Sequence, residues 1–245
     1  EITSATQNTL IGGLAGDALT TGSDNVAVGY LALSAEDTNG RNVAIGKGAL
    51  QSQNAGSEGY NVGIGYNAGV NVTTGINQIL IGGNAGVTLS DGANNVAIGR
   101  SALSTAQSDS NNTAIGYAAL SSQNGAGTAY NVAIGHQAGV NVTTGQFNTL
   151  IGGLVGDSLT SGAYNVAVGY NALASEDAHG RNIAIGTNAL TTQDAGADAY
   201  NIAIGHNAGL SVTTGVYNTI IGGLAGDALT TGNNNVAMGY EALST

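Results

Sequence analysis

Cysteine, proline and tryptophan are absent from this 245-residue chain, phenylalanine occurs once, and only four residues are basic. Without cysteine there can be no disulfide and no thiolate metal site, and the redox compartment stays open. Fifteen acidic residues face those four basic ones, for a net charge of −11. No Lys/Arg stripe exists to neutralise phosphates, so nucleic acid is excluded as a partner. The same deficit argues against docking on anionic lipid. No apolar run reaches the ~18 residues of a spanning helix, so no membrane insertion is expected.

What is present points to strands. Lys, Glu and Arg, which favour helices, are scarce, while 41 Gly accompany abundant Asn, Thr and β-branched residues. That mixture suits short strands joined by tight turns. Only 8% of residues are charged, yet Val, Ile and Leu recur at fixed places, which disordered chains do not maintain.

The dominant signal is a repeat. The pattern N-x-x-[IV]-G begins at Asn8, Asn25, Asn42, Asn61, Gln78, Asn95, Asn112, Asn131, Asn148, Asn165, Asn182, Asn201, Asn218 and Asn235. Successive intervals run 17, 17, 19 and 17 residues and then start again, a superperiod of 70. Self-similarity at a short fixed period marks a solenoid whose units stack on one another. The expected fold is an all-β parallel β-solenoid of 14 rungs, one continuous array over residues 1–245. At ~4.8 Å per rung the rod would be roughly 65 Å long. Glu1 is not an initiator Met, Ile2 to Gln7 align with Val72 to Asn77, and Thr245 stops partway through a unit. These ends lead us to expect a segment of a longer fibre, or a processed product.

Within a rung, the second position is always Val, Ile or Thr, and the fourth is Ile, Val or, once, Met238. Two apart in a strand, they share a face, and we expect that face to be the inward one. The fifth position is invariably Gly, from Gly12 to Gly239, as a corner with positive φ or a close backbone neighbour requires. Ala follows three residues later in 13 of 14 units, with Val155 the exception, which implies a narrow interior or a face pressed on another chain. The leading Asn either forms an amide ladder from rung to rung or simply tolerates a turn. Thr-Thr-Gly runs such as Thr20-Thr21-Gly22 and Thr73-Thr74-Gly75 read as the return turn.

The four rung types differ. The first carries a large third residue, Leu10, Leu80, Leu150 or Ile220, where most others have Ala. If that position points outward these side chains are candidate inter-chain contacts; the alternative is a wider rung that buries them. The long interval places two extra residues before Tyr60, Tyr130 and Tyr200, with Tyr66, His136 and His206 close behind. These six are candidate surface contacts on protruding loops, since Tyr offers contact area at small entropic cost; the alternative is that each Tyr packs over its own loop. Glu36, Asp37 and Arg41 recur together as Glu176, Asp177 and Arg181 but become Ala106, Gln107 and Asn111 in the middle superrepeat. The set reads as an exposed ion pair within one turn, contributing about 0–1 kcal/mol.

Chemical motifs are weak. Gly12-Gly13-Leu14-Ala15-Gly16-Asp17 is similar to the calcium-binding GGxGxD repeat, but its second Gly is one place late and Val87 replaces the Asp in the next superrepeat. Ile64-Gly65-Tyr66-Asn67-Ala68-Gly69 fits the hexapeptide of left-handed β-helix acyltransferases, but one copy per coil stands where that family has three. Ice binding would want T-x-T on successive rungs, and Thr-Thr-Gly puts neighbouring Thr on opposite faces or in a turn. No Ser/His/Asp set, close carboxylate pair or metal cluster emerges. No catalytic, cofactor-binding or metal-ligating residue is assigned, and the chain is not read as an enzyme.

The unit N-[VT]-A-[IV]-G-x-x-A-L, carried by segments such as Asn95 to Leu103 and Asn235 to Leu243, resembles two related repeats. One is the 17-residue repeat of phage tail-fibre proteins, the other the repeat of YadA-like trimeric adhesin heads. The resemblance covers nearly the whole chain. It implies a homotrimer of left-handed parallel β-rolls forming a fibre shaft or adhesive head, on a virion tail fibre or at the cell surface. Such a fibre projects toward, or attaches to, a host cell through a glycan or protein receptor. A self-polymerising extracellular filament of solenoids joined end to end is the alternative, and an ice- or polysaccharide-binding module is a third. The 19-residue rung and strict superperiod depart from the adhesin pattern.

Overall fold

Fourteen three-residue strands, one for each N-x-x-[IV]-G unit, are the only regular elements of the computed structural model, which describes residues 3–125 and 127–244. The expectations drawn from Glu1, Ile2 and Thr245 lie outside the described residues. Among the described residues there is no helix, and so none long and apolar enough to cross a membrane. Two compact units divide the chain, Glu1–Thr128 and Ala129–Thr245.

The first unit holds β1 (Thr9–Ile11), β2 (Val26–Val28), β3 (Val43–Ile45), β4 (Val62–Ile64), β5 (Ile79–Ile81), β6 (Val96–Ile98) and β7 (Thr113–Ile115). Each pairs in parallel with the next at like positions, as in Val26 with Val43, Ala27 with Ala44 and Val28 with Ile45. The second unit repeats the arrangement with β8 (Val132–Ile134), β9 (Thr149–Ile151), β10 (Val166–Val168), β11 (Ile183–Ile185), β12 (Ile202–Ile204), β13 (Thr219–Ile221) and β14 (Val236–Met238). Parallel strands in chain order, each one coil from the last, make a β-solenoid. The expected fold class holds.

Which face points inward is the reverse of the expectation. The middle residue of the strand, third position of the unit, is the inward one: Ala27, Ala44, Leu80, Ala97, Ala133, Leu150 and Ile220 are all fully enclosed, and Leu10 in the first strand is half-buried. The Val, Ile and Thr on either side of it face outward, half-buried or exposed. The reason is volume. A coil so narrow takes one large side chain near its strand, and the sequence supplies it from either of two places. Where the ninth position is Leu (Leu33, Leu50, Leu103, Leu120, Leu173, Leu190), the third is Ala. Where the ninth is Gly, the third is Leu or Ile in the first rung type: a Cβ on Gly16 would lie 2.8 Å from Leu10 Cδ2 and 2.8 Å from Leu19 Cδ1. In the rung of Asn61 both positions are Gly, and its neighbours fill the gap, Leu80 and Leu50 standing 2.6 and 3.0 Å from a Cβ on Gly69. Close packing of this kind leaves no room for the Val and Ile.

Two devices fasten rung to rung. The corner Gly has φ between 119° and 142° at every rung, and within each unit its α-carbon lies against the corner of the next coil, as at Gly29 against Gly46 and Gly135 against Gly152. Both reasons for Gly apply there. The leading Asn makes a ladder, but through the backbone. Asn148 Oδ1 accepts from the Asn165 N–H at 2.9 Å, while Asn148 Nδ2 donates to the carbonyl of Gly162, fourteen residues on, at 2.9 Å. One amide thus ties its strand both to the next rung and to its own return turn, and Asn8, Asn61 and Asn131 close the same turn. Amides bonded side chain to side chain run along a different column, Asn171 to Asn188 to Asn207, at 3.2 and 3.1 Å, and occur also at the end of the leading column, where Asn235 Nδ2 donates to Asn218 Oδ1 at 3.0 Å.

Candidate functional site

The outward strand residues form a two-column face of Val, Ile and Thr in each unit. In the second unit it runs from Val132 and Ile134 through Thr149 and Ile151 to Val236 and Met238. Four of its fourth-position Ile side chains remain over a third exposed, 36% at Ile134, Ile151 and Ile185 and 37% at Ile204. Such a continuous apolar sheet face exceeds the scattered hydrophobics normal on a monomer surface. Leu80, Leu150 and Ile220, considered above as inter-chain contacts, have no surface left to offer another chain, and Leu10 is half-buried. The residues beside them present the face instead. The strand signal was legible; its sidedness was not.

Aromatic and basic side chains border the strands. The residue before each leading Asn adopts the left-handed region, including Tyr60, Tyr130, Phe147, Tyr164, Arg181, Tyr200 and Tyr217 with φ from 50° to 64°. That conformation costs a bulky residue about 1–2 kcal/mol, which stacking offsets. In the second unit Tyr130 stacks on Phe147 with ring centroids 5.6 Å apart and Phe147 on Tyr164 at 5.0 Å. Arg181 then lies between Tyr164 and Tyr200 at 5.2 and 5.5 Å, and Tyr200 stacks on Tyr217 at 5.6 Å. In the first unit Arg41 covers Tyr60 and donates to its hydroxyl at 2.8 Å. Tyr60, Tyr130 and Tyr200 therefore stack from rung to rung, and do not fold over their own loops.

Tyr66, His136 and His206 follow the corner Gly, on the other side of the strands, and are exposed. Lys47 lies 5.8 Å over Tyr66 and Arg100 lies 5.2 Å over Tyr117. All four basic residues of the chain are thus placed on tyrosines. At exposed sites each contact contributes roughly 0.5–1 kcal/mol.

The acidic set departs from its expected role. Glu36 and Glu176 are fully buried and do not pair with Arg41 and Arg181. Those arginines meet acids on neighbouring rungs, Arg181 reaching Asp198 at 2.7 Å and Arg41 reaching Asp24 and Glu58 at 3.8 Å. Burial pushes the Glu36 carboxyl above its ordinary 4.5, with the Asn39 backbone N–H pulling back. Burial likewise pushes Glu176 up to about 7 against the opposing pull of His179.

A raised carboxyl in the folded state has a definite sign. Below pH 4.5 Glu36 is neutral in both states and carries no penalty; stability is lost as pH rises from there through its higher folded value. Glu36→Gln is expected to match the parent in acid and to exceed it in stability near neutral pH. Melting temperatures across pH check this. A variant less stable than the parent at neutral pH would show that the charge is compensated.

No pocket opens among the described residues. Comparison with protein-family models, with curated proteins and with solved structures returns no match.

Proposed function

We propose that this chain is a structural fibre or appendage protein, a tail-fibre shaft or adhesin head whose solenoids associate side by side, as a homotrimer, through the Val/Ile/Thr face. The observation that carries the reading is that face: apolar, regular and, among the described residues, without a covering element in either unit. Burying it against like faces removes the exposed β-branched surface from water at about 25 cal/mol per Å². A chain with no helix among its described residues gains a rigid shaft in this way, and its stacked tyrosines and loops stay outside for a glycan or protein receptor on a host cell or other surface. A virion or extracellular location follows from the same reading, and repeated rungs extend it at little cost in design.

Sedimentation of the full chain tests it. We expect a mass of three chains for the parent and of one chain for the pair Ile98→Lys with Ile185→Lys. Each Lys is set on the outward face and leaves the coil interior untouched, so far-ultraviolet dichroism should be preserved. A parent that sediments as one chain at micromolar concentration overturns the reading. If that monomer also showed thermal hysteresis, the face would be binding ice.

A further inference from the structure

In the second unit, side chains from two successive rungs converge. Glu176, Asp177 and His179 lie on the turn after β10 and Asp194 on the loop after β11. One ligand atom from each lies within 4.8 Å of all the others. Three carboxylates so close repel one another, and Arg181 is engaged instead with Asp198. The basic group among them is His179, whose Nδ1 stands 3.7 Å from Glu176 Oε1.

Two atoms in the cluster are aimed at nothing. Glu176 is fully buried; its Oε1 accepts from the His179 N–H at 3.2 Å, while its Oε2 has no hydrogen-bond partner. His179 Nδ1 is also shut off from water and lacks one. The equivalent atoms of the first unit, Glu36 Oε2 and Asn39 Nδ2, are orphaned too, but there the second group is an amide donor; here an imidazole nitrogen meets three carboxylates, which is costly unless something cationic joins them.

The repeat supplies an internal comparison. One superrepeat earlier the four positions read Ala106, Gln107, Asp109 and Asn124, and two earlier Glu36, Asp37, Asn39 and Asn54. The Glu-Asp pair recurs, but only in the third superrepeat do His and Asp replace both amides. Structure alone does not call for that change, since the same turn is built on Asn39 and Asn54 in the first unit.

We infer that Glu176, Asp177, His179 and Asp194 form a binding site for one divalent transition-metal cation, Zn²⁺ foremost. One imidazole with carboxylate oxygens suits zinc or manganese; calcium prefers all-oxygen sets. Donors ~2.1 Å from a common ion stand at most about 4.2 Å apart, so small side-chain rotations close the site. The bound ion would clip the turn at 176–179 to the loop carrying Asp194, joining two rungs where the loop is longest. No step of chemistry is assigned to it.

Calorimetric titration of the EDTA-treated, dialysed full chain with zinc chloride tests this. One ion per chain is expected, with Mn²⁺ weaker and Ca²⁺ weaker still. His179→Asn and Asp194→Asn restore residues that the first unit already carries, so both should fold and melt like the metal-free parent. Each is expected to weaken zinc binding at least about tenfold. The reciprocal pair Asn39→His with Asn54→Asp should take up a second ion. No uptake by the parent at micromolar zinc overturns the site. So does undiminished uptake by His179→Asn with Asp194→Asn, which would assign the ion to exposed His136 or His206. A stoichiometry still at one in the reciprocal pair counts against this donor set.

Discussion

Gly135→Val is expected to destabilise the second unit by about 3–5 kcal/mol, lowering its melting temperature well below that of the parent. Two costs coincide. Gly135 has φ 142°, a region that L side chains rarely adopt and that a β-branched residue tolerates least. A Cβ there would also collide with the carbonyl oxygen of Gly152, its counterpart on the next rung. That oxygen is backbone and cannot swing aside, because the Gly152 N–H is held by the Ile134 carbonyl at 2.8 Å. Contrast Gly196, whose Cβ would meet nothing within 4 Å although its φ is 67°. Gly196→Ala should therefore cost only the backbone term, about 1 kcal/mol. If Gly135→Val melts with the parent, the corner is not held as described.

Leu150→Ala is expected to cost about 3–4 kcal/mol, and Ile151→Ala in a monomeric sample less than about 1 kcal/mol. The residues are adjacent and similar in size, so the contrast reads sidedness alone. Leu150 is fully buried beside Gly156, whose missing side chain leaves Leu150 to fill the coil. Its truncation opens a cavity that a rung of short strands cannot collapse, because each rung's position is set by its neighbours' hydrogen bonds. Ile151 is 36% exposed and leaves no void when shortened. Denaturant midpoints check the pair. An equal or larger loss for Ile151→Ala would restore the inward Val/Ile face that the sequence alone suggests.

Much of the stack was legible in the residues. The N-x-x-[IV]-G spacing located all fourteen strands, the unvarying Gly marked the corner, and a rung-to-rung ladder was one of the two readings open for the leading Asn. The form of that tie was not legible, since an Asn side chain reaches equally well to another amide or to a backbone N–H. Nor was the burial of Glu36 and Glu176. A lone Glu beside an Asp and near an Arg reads as a surface pair, and only the coil's closure carries it inside. The grouping of Glu176 and His179 with Asp194 spans two rungs, so its one trace in the sequence was the joint replacement of Asn39 and Asn54 by His179 and Asp194.

By itself, then, the order of residues determined a parallel coil with a rise every 17 or 19 positions, because a repeating chain meets its own copy at each turn and pairs like with like. It left the strand's two sides undecided, since Val-Ala-Val is apolar on both and three residues are too few for alternation to discriminate. Tertiary packing settled that choice. Near the strand the coil has room for one Leu-sized group, taken from the third position or the ninth where the rung carries one, with a second such as Leu89 or Leu159 buried further round, and whatever is excluded by volume must stand outside.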